Sequence, residues 1–299
     1  MGTKIVLDGQ KIRWEGNIIR LRTTDFAKLV LYLLLPRPGA IMGGSIYFWG
    51  GVVYAIVLSQ KLPIADIIVA WFCLELMVNQ AKYWLNDYRD VATDRLHPRK
   101  KERVSAAEYF PVRWLPIFST ARMLIGAGLL FGYQPRALIF ALLLPTIQLL
   151  YDSVKRIPLI NAGVAACGSM VRFAAGYAAV AGGWPLLFPC LLVYLQRLAI
   201  YVAAYTAEGR YLLKCRTTAG KEYTVFYARH PCLEKVVTIL FLGVLTLALG
   251  RFIPGGIAVA GVIVLLSGVL YYRLNGPGDR IYWRDWRAVW RSLRSGENG

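Results

Sequence analysis

Residues 64–94 read "IADIIVAWFCLELMVNQAKYWLNDYRDVATD" and join a long apolar run to a dense group of acids. About twenty largely apolar residues are enough for a helix to cross a bilayer. The polar end then carries Asn86, Asp87, Asp90 and Asp94 within nine residues. This stretch therefore predicts a transmembrane helix that ends in a cluster of carboxylates.

The rest of the chain repeats the apolar half of this pattern. Hydrophobic residues make up 57% of the sequence, charged residues only 17%, and the mean hydropathy is +0.47. A soluble domain averages about 25% charged residues, so we expect an all-α, polytopic membrane bundle. The predicted spans lie within 26–58, where Pro36 and Pro38 predict a kink, and at about 64–86, 112–132, 136–152, 158–181, 184–206, 231–251 and 253–273.

The positive charge follows the pattern expected of membrane topology. The net charge of +18 suggests nucleic acid as a partner, but the basic residues lie in short loops between apolar runs, so we exclude that partner. Fourteen Lys and Arg residues lie in the loops 87–113, 152–157 and 207–230, against three in the opposite loops. Basic loops stay in the cytoplasm. The sequence therefore predicts an integral membrane protein with both termini cytoplasmic.

The two ends of the chain differ from the middle. Residues 1–25 are polar and form a predicted cytoplasmic segment, ahead of a transmembrane catalytic domain at 26–273. In the tail "DRIYWRDWRAVWRSLR" (279–294), Trp283, Trp286 and Trp290 share one helical face and arginines fill the other. That pattern predicts an interfacial amphipathic helix over 277–294, with membrane lipid as its partner.

The acids near residue 90 have the spacing of a metal site. On a helix, Asn86, Asp90 and Asp94 occupy one face at i, i+4 and i+8, with Asp87 at its edge. Carboxylates this close repel each other unless a cation lies between them. Several hard oxygen ligands suit Mg²⁺, which leaves coordination positions for phosphate oxygens. We therefore predict that Asn86, Asp87, Asp90 and Asp94 bind Mg²⁺ and a diphosphate donor.

Polar residues extend this face in both directions. Asn79 and Lys82, with Glu75, continue it into the span, where ionisable groups normally face a bundle interior and mark function. After the acids comes "DRLHPRKKER" (94–103), which supplies further cations. We expect contacts to substrate phosphates from Asn79, Lys82, Arg95, Lys100, Lys101 and Arg103, although some of the basic residues serve only topology.

Other polar residues lie inside or at the ends of later spans. Lys155 follows Tyr151 at the end of the fourth span. Arg172 lies within a span, where it either binds substrate or forms a structural ion pair with a partner such as Glu75. One face of the sixth span joins Arg197 and Tyr205 to Glu208; its aromatic rings either line a cavity that stabilises a carbocation or simply fill the span.

"NDYRDVATD" resembles the NDxxDxxxD motif of the UbiA superfamily of intramembrane prenyltransferases. The order of polar loops along residues 20–230 also matches that superfamily. The resemblance implies an all-helical fold of about nine spans around a central cavity, with Mg²⁺ held by Asp-rich loops. It also implies an isoprenyl or polyprenyl lipid substrate, and catalytic roles for Asp87, Asp90 and Asp94.

The loops are similar to one branch, the decaprenyl-phosphate phosphoribosyltransferases. "DRLHPRKKER" is similar to a DRxHPxKxxRP extension in that branch, and the spacing of Arg22 and Lys28 in "LRTTDFAK" also matches. This resemblance implies a catalytic role for Lys155 and Glu208, and substrate contacts by Arg22, Lys28, Arg172 and Tyr223. Position and charge alone make Tyr151, Arg197, Tyr205, Lys214 and Lys221 further candidates for substrate contacts.

One departure from the superfamily pattern leaves the donor open. Ordinary members carry a second motif, DxxxD, after the sixth span, whereas the loop "AEGRYLLKCRTTAGKEYT" (207–224) has Glu208 and Glu222 as its only acids. Lys214 and Lys221 in that loop could balance phosphate charge instead. We expect prenyl transfer from an isoprenyl diphosphate first. The alternatives are phosphoribosyl transfer to a polyprenyl phosphate, cyclisation of a prenyl diphosphate, and a transporter or lipid-binding protein without catalysis.

Overall fold

The computed structural model of the protein describes residues 11–14, 17–20, 23–97, 111–185, 187–218 and 220–252. A short antiparallel hairpin comes first, with strands β1 (Lys11–Trp14) and β2 (Asn17–Arg20) in a register that pairs Lys11 with Arg20. The remaining regular structure in this part of the chain is helical. The α-helices are α1 (Thr23–Leu34), α2 (Pro38–Ser59), α3 (Ile64–Trp71), α4 (Gln80–Leu96), α5 (Leu115–Tyr133), α6 (Pro135–Val154), α7 (Ile160–Ala181), α8 (Leu187–Lys214), α9 (Glu222–Arg229) and α10 (Cys232–Phe252).

Five continuous helices in the described residues are long and apolar enough to cross a membrane. They run over Ile64–Leu96, Val112–Tyr133, Pro135–Val154, Ile160–Ala181 and Leu187–Lys214. Helices α9 and α10, bent by 76° relative to each other, could make a sixth span. The predicted all-α membrane fold is thus confirmed. The predicted span at 253–273 and the amphipathic helix at 277–294 lie outside the described residues.

The first apolar run is broken where its prolines predict a kink. Helix α1 ends at Leu34 and α2 begins at Pro38, which occupies the first turn and needs no hydrogen-bond acceptor for its nitrogen. The exposed peptide groups of Arg37 are satisfied by the neighbouring helix. Its N–H donates to Gln80 Oε1 at 3.0 Å, and Gln80 Nε2 donates to its carbonyl at 3.2 Å. The break is therefore fixed against α4.

The acid-bearing helix continues well beyond its predicted end near residue 86. Helix α3 passes through a π-helical segment, Phe72–Asn79, directly into α4, so one continuous helix spans Ile64–Leu96. The backbone turns to an extended conformation only at His97. The polar residues 87–96 stay helical because neighbouring elements supply side chains that pair with their acids. All three aspartates consequently stand on a rigid element.

Helix α7 is the most deeply buried of these five helices: 67% of its most apolar stretch lies inside the protein. It packs most closely against α2. A Cβ atom on Gly51 would collide with the Phe173 carbonyl, and one on Gly176 would collide with the Phe48 carbonyl. The two glycines let the backbones touch, as small residues commonly do between membrane helices. This contact holds the break before α2 beside the polar end of the bundle.

Candidate active site at the polar end of the bundle

The first part of the site joins α4 to the end of α6. The Lys155 ammonium lies 2.5 Å from Asp90 Oδ1, and Asn86 Nδ2 donates to Asp90 Oδ2 at 3.1 Å. Gln148 on α6 donates to Asp152 at 3.0 Å, and Asp152 pairs in turn with Arg89. The structure thus brings together Asn86, Asp90 and Lys155, three of the residues that the sequence singled out. Asp90 is only partly buried, and its carboxylate is held by a flexible lysine.

A second cluster joins the end of α4 to α8 and to the loop before α9. The Lys221 ammonium lies 4.0 Å from Asp94 Oδ1 and 3.6 Å from Glu208 Oε1. His97 Nε2 lies 3.4 Å from the same Glu208 oxygen. Asp94, His97 and Lys221 are buried. Residues from the two loops that the sequence singled out therefore meet around Glu208, with Lys221 between two carboxylates.

Asp87 faces the break between α1 and α2. Its Oδ1 accepts from Arg37 Nη2 at 2.5 Å, and its Oδ2 accepts from the Tyr32 hydroxyl at 3.0 Å. The carboxylate is 2% exposed. Sequence reasoning did not single out Tyr32 or Arg37, because neither belongs to a motif; an arginine next to Pro36, at a helix break, was the available signal.

Tyrosines fill the space beside the two acid clusters. The Tyr151 and Tyr205 hydroxyls lie 3.1 Å apart, and Tyr223 meets the Tyr205 ring edge to face at 5.7 Å. Tyr227, which the sequence did not single out, lies against the same ring and donates to Asn161 Oδ1 at 2.7 Å. Tyr151, Tyr205 and Tyr223, which the sequence singled out separately, thus lie together between α6, α8 and α9.

Deeper in the bundle lies a fully hydrogen-bonded network around Arg172. Its Nε donates to Glu75 Oε1 at 2.7 Å, its Nη2 to Asn79 Oδ1 at 2.5 Å and its Nη1 to the Gly168 carbonyl at 3.0 Å. Asn79 Nδ2 closes the ring by donating to Glu75 Oε2 at 2.7 Å. The ion pair between Arg172 and Glu75, one of the two predicted alternatives, is therefore present.

The other residues that the sequence singled out lie partly inside the bundle, partly on its surface and partly outside the described residues. Lys82 on α4 has its ammonium 5.0 Å from the Tyr83 ring centroid, and the Arg197 guanidinium on α8 lies 4.5 Å from the Tyr201 ring centroid. Arg95 and Lys214 are exposed. Of Lys28 only the backbone, in α1, is described. Arg22, Lys100, Lys101 and Arg103 lie outside the described residues.

The side chains at the polar end have the chemistry of Mg²⁺ ligands, but those that the structure describes are not arranged as a metal site. Asn86, Asp90 and Asp94 offer the amide and carboxylate oxygens that Mg²⁺ prefers. Within the described ranges, however, no three acidic, histidine or cysteine side chains converge as a metal cage. Asp90 and Asp94 are each accompanied by a lysine instead. Both oxygens of Asp87 accept hydrogen bonds, from Arg37 and Tyr32, and both oxygens of Asp90 accept them from Lys155 and Asn86, so a metal would have to displace partners at either carboxylate.

These features define a class of protein: a multi-pass membrane bundle with carboxylates and cations facing each other across one polar end. A sequence model of the UbiA prenyltransferase family matches residues 44–289. The chain belongs to the UbiA prenyltransferase family. A search of curated protein sequences found no significant match.

Solved structures show the same fold. A UbiA homologue from Archaeoglobus fulgidus, bound to DMAPP and Mg²⁺, has a TM-score of 0.66 at 13% identity over 82% of this chain and 86% of that one. An apo UbiA homologue from Aeropyrum pernix K1 has a TM-score of 0.57 at 14% identity, covering 79% and 90%. A digeranylgeranylglyceryl phosphate synthase structure has a TM-score of 0.56 at 17% identity, covering 86% and 91%.

Proposed function

We propose that this protein is a Mg²⁺-dependent intramembrane transferase that ionises an isoprenyl diphosphate and transfers the prenyl group to an acceptor. The observation that carries the proposal is the meeting of Asp90 and Asp94 with Lys155 and Lys221 at one end of the bundle. Acids that can hold a metal and cations that can hold phosphate occur there together. The Archaeoglobus homologues bound to DMAPP or GPP with Mg²⁺ support a donor of this kind.

Each charged side chain has a proposed role. Asn86, Asp90 and Asp94 would hold Mg²⁺, which supplies charge neutralisation for the diphosphate oxygens when bound. Lys155 and Lys221 now neutralise the carboxylates, and we propose that they turn to the diphosphate when it enters. Because both ammonium groups sit on flexible stems, this exchange needs no backbone movement. Glu208, whose Oε1 lies 3.6 Å from the Lys221 ammonium, would keep Lys221 oriented.

The tyrosines and the apolar helices complete the mechanism. Ionisation of the donor leaves a cationic carbon, and the Tyr205 ring can stabilise it by cation–π attraction. The surrounding helices exclude water, which would otherwise capture the cation. The acceptor then attacks the carbon. In this proposal the polar end faces the cytoplasm together with both termini, as the basic loops require.

Phosphoribosyl transfer to a polyprenyl phosphate is the second candidate, favoured by a specific observation. The loop that carries a second Asp motif in ordinary superfamily members here presents Lys221, 3.6 Å from Glu208. A fixed cation at that position could replace one metal beside a phosphoribosyl diphosphate. The similarity of the loop sequences to the decaprenyl-phosphate phosphoribosyltransferase branch supports the same donor.

The proposal is tested by pyrophosphate release from the detergent-purified full chain. Geranyl, geranylgeranyl and phosphoribosyl diphosphates are each supplied with Mg²⁺ or with EDTA, and farnesyl phosphate is added as an acceptor in a parallel series. Mg²⁺-dependent release from a prenyl diphosphate is expected, with Asp90→Asn as the inactive control. Release from phosphoribosyl diphosphate only with farnesyl phosphate would select the second candidate. A cyclic hydrocarbon product would select a cyclase, and no release from any donor would reject catalysis.

A further inference from the structure

The loop that follows Lys155 and leads into α7 contains a strained turn at Leu159. The backbone of Leu159 has φ 68° and ψ −49°, and the Ile160 N–H donates to the Pro158 carbonyl at 2.9 Å. These angles, closed by a bond between residues two apart, define the rare form of the γ-turn, which is strained. A residue other than glycine keeps such a conformation only where the surrounding structure holds it, and such residues cluster at functional sites.

A side chain on α9 holds this turn. The Leu159 N–H donates to the Tyr227 hydroxyl at 2.6 Å, and that hydroxyl donates in turn to Asn161 Oδ1 at 2.7 Å. Asn161 Nδ2 donates to the Lys155 carbonyl at 3.0 Å. Tyr227 and Asn161 are fully buried. One hydroxyl on α9 therefore joins the strained turn to the start of α7 and, through Asn161, to the backbone of Lys155. We call Leu159, Asn161 and Tyr227 the tyrosine latch.

Helix α9 also fixes the second lysine of the proposed donor site. Lys221 directly precedes Glu222, the first residue of α9. The Lys221 carbonyl accepts from the N–H and from the hydroxyl of Thr224, at 3.0 Å and 2.8 Å. Helix α9 packs directly on α8, because a Cβ atom on Gly209 would collide with the Thr224 carbonyl. The position of the Lys221 backbone therefore depends on where α9 lies.

The tyrosine latch thus connects the two loops that supply lysines to the acids of α4. Lys155 lies beside Asp90. Lys221 lies beside Asp94, one helical turn further along α4, which is about 6 Å along its axis. Because lysine side chains are flexible, the distance between the two backbones decides which phosphates both ammonium groups can reach. A diphosphate offers each lysine a phosphate of its own, whereas a single phosphate offers one group for both.

We propose that Tyr227 and Asn161 are positioning residues that set the distance between the backbones of the two lysines and thereby make the site select a diphosphate over a monophosphate. Their polar groups bond to each other and to the loop backbone, so they act on a substrate through the lysines. This inference rests on the proposed function, in which both lysines turn to the donor. It applies equally to a prenyl and to a phosphoribosyl donor, because both present a diphosphate.

The test compares inorganic pyrophosphate, the group that both donors share, with inorganic phosphate. Binding of each anion to the detergent-purified full chain is measured with Mg²⁺ by titration calorimetry. We expect the wild-type chain to bind pyrophosphate at least about tenfold more tightly than phosphate, which is the worth of one further charge-assisted contact. In Tyr227→Phe the affinity for pyrophosphate should fall by about tenfold, whereas the affinity for phosphate should stay unchanged.

Further variants show whether the effect passes through the lysines. In a Lys221→Met background one lysine remains, so their separation no longer matters and Tyr227→Phe should have no added effect on pyrophosphate affinity. Asn161→Ala breaks the same connection from α7, should also weaken pyrophosphate binding alone, and keeps the test available if Tyr227→Phe does not fold. Leu159→Gly removes the strain, because glycine adopts positive φ freely, so it should restore pyrophosphate affinity to Tyr227→Phe. A double variant that regains nothing would contradict the role of the turn.

Tyr54→Phe is the matched control for loss of a hydroxyl. Tyr54 on α2 lies against the rings of Phe173 and Tyr177, its hydroxyl has no hydrogen-bond partner within the described ranges, and its replacement should keep the full preference. Equal binding of the two anions to the wild-type chain would overturn the inference. So would an unchanged preference in Tyr227→Phe, an equal loss of both anions, or the same loss in the Lys221→Met background. Failure of the proposed function has a separate signature, because no donor would then release pyrophosphate even if pyrophosphate itself binds.

Discussion

Two sets of ion pairs in this bundle, one around Arg172 and one at the polar end, differ in how firmly their charged groups are held. Around Arg172, every nitrogen of the guanidinium donates to a fixed partner, and Glu75 and Asn79 also bond to each other. At the polar end, the Lys155 ammonium lies 2.5 Å from Asp90, and the Lys221 ammonium lies 4.0 Å from Asp94. The deep network is complete by itself. The polar end has pairs that a substrate can replace.

The deep network around Arg172 and the polar end also differ in how closely the neighbouring backbone packs against them. Gly44 on α2 lies against the deep network, where an added Cβ would be 2.5 Å from Glu75 Oε2 and 2.9 Å from Arg172 Nε. No space for a ligand remains at that position. Lys155 and Lys221, by contrast, reach their acids on long flexible stems, which can move at little cost. We infer that the deep ion pair stabilises the fold and that the outer pairs serve exchange with substrate.

The largest expected effect tests the deep network. Glu75→Gln keeps the shape of the side chain but leaves the buried Arg172 charge without its carboxylate. Breaking a buried pair in this way costs about 3–5 kcal/mol of folding free energy. We expect a marked fall in the thermal unfolding temperature in detergent, measured by intrinsic tryptophan fluorescence.

The double variant Glu75→Met/Arg172→Met supplies the control for this stability effect. Replacing both partners by apolar side chains removes the unmatched charge, so most of the lost stability should return. If Glu75→Gln unfolds at the wild-type temperature but loses substrate binding, Arg172 would belong to the substrate site and the contrast between the two regions would fail.

The next effect tests the polar end. Asp90→Asn and Asp94→Asn should leave the unfolding temperature within a few degrees of wild type but reduce turnover by roughly 10²–10³-fold, the usual cost of losing one preorganised electrostatic group. Asparagine keeps the shape and removes the charge that a metal needs. The measurement is pyrophosphate release at low Mg²⁺, and near-wild-type rates in either variant would rule out the metal role.

A smaller effect distinguishes Lys214, at the end of α8, from Lys221, in the loop before α9. Lys221 is buried beside Asp94 and Glu208, whereas Lys214 is exposed at the end of α8. Lys221→Ala should weaken donor binding about tenfold or more, as expected for one lost charge-assisted hydrogen bond. Lys214→Ala should change donor affinity less than twofold.

Glu222→Gln provides the matched acid control for these lysines. Glu222 is exposed and accepts a hydrogen bond from Thr218 at 3.2 Å. Its replacement should leave donor affinity unchanged in an equilibrium binding assay. If Glu222→Gln greatly weakened donor binding while Lys221→Ala bound the donor normally, a second metal would be indicated in this loop. That result would favour an ordinary prenyl donor over phosphoribosyl diphosphate.

Much of the fold followed from local pattern. Apolar runs of membrane length predicted the helices, because a bilayer imposes that length, and Pro36 and Pro38 predicted the break before α2 because proline cannot continue a helix. The i, i+4 and i+8 spacing placed Asn86, Asp90 and Asp94 on one face, and the structure has them on one helix. These predictions depend only on residues that are close together in the sequence, so they could be made without knowledge of the tertiary structure.

The partners of the charged residues could not be predicted in the same way. Arg37 and Tyr32 bind Asp87 across 50 and 55 positions, Lys155 lies beside Asp90 from another element, and Lys221 lies between Asp94 and Glu208. Pairing of this kind depends on which helices pack together, and the glycine contact between α2 and α7 determines part of that packing.

The sequence by itself determined the membrane class, the positions of the helices and the acidic motif, because bilayer thickness and helical periodicity act on local residues. Only the tertiary structure decided which charges are permanently satisfied and which can meet a substrate. Arg172, Lys82 and Lys155 are all cations at or near membrane helices, and nothing in their sequence context separates them. Packing gives Arg172 three fixed acceptors, Lys155 one and Lys82 none within the described residues. The cost of burying a charge makes that difference decisive.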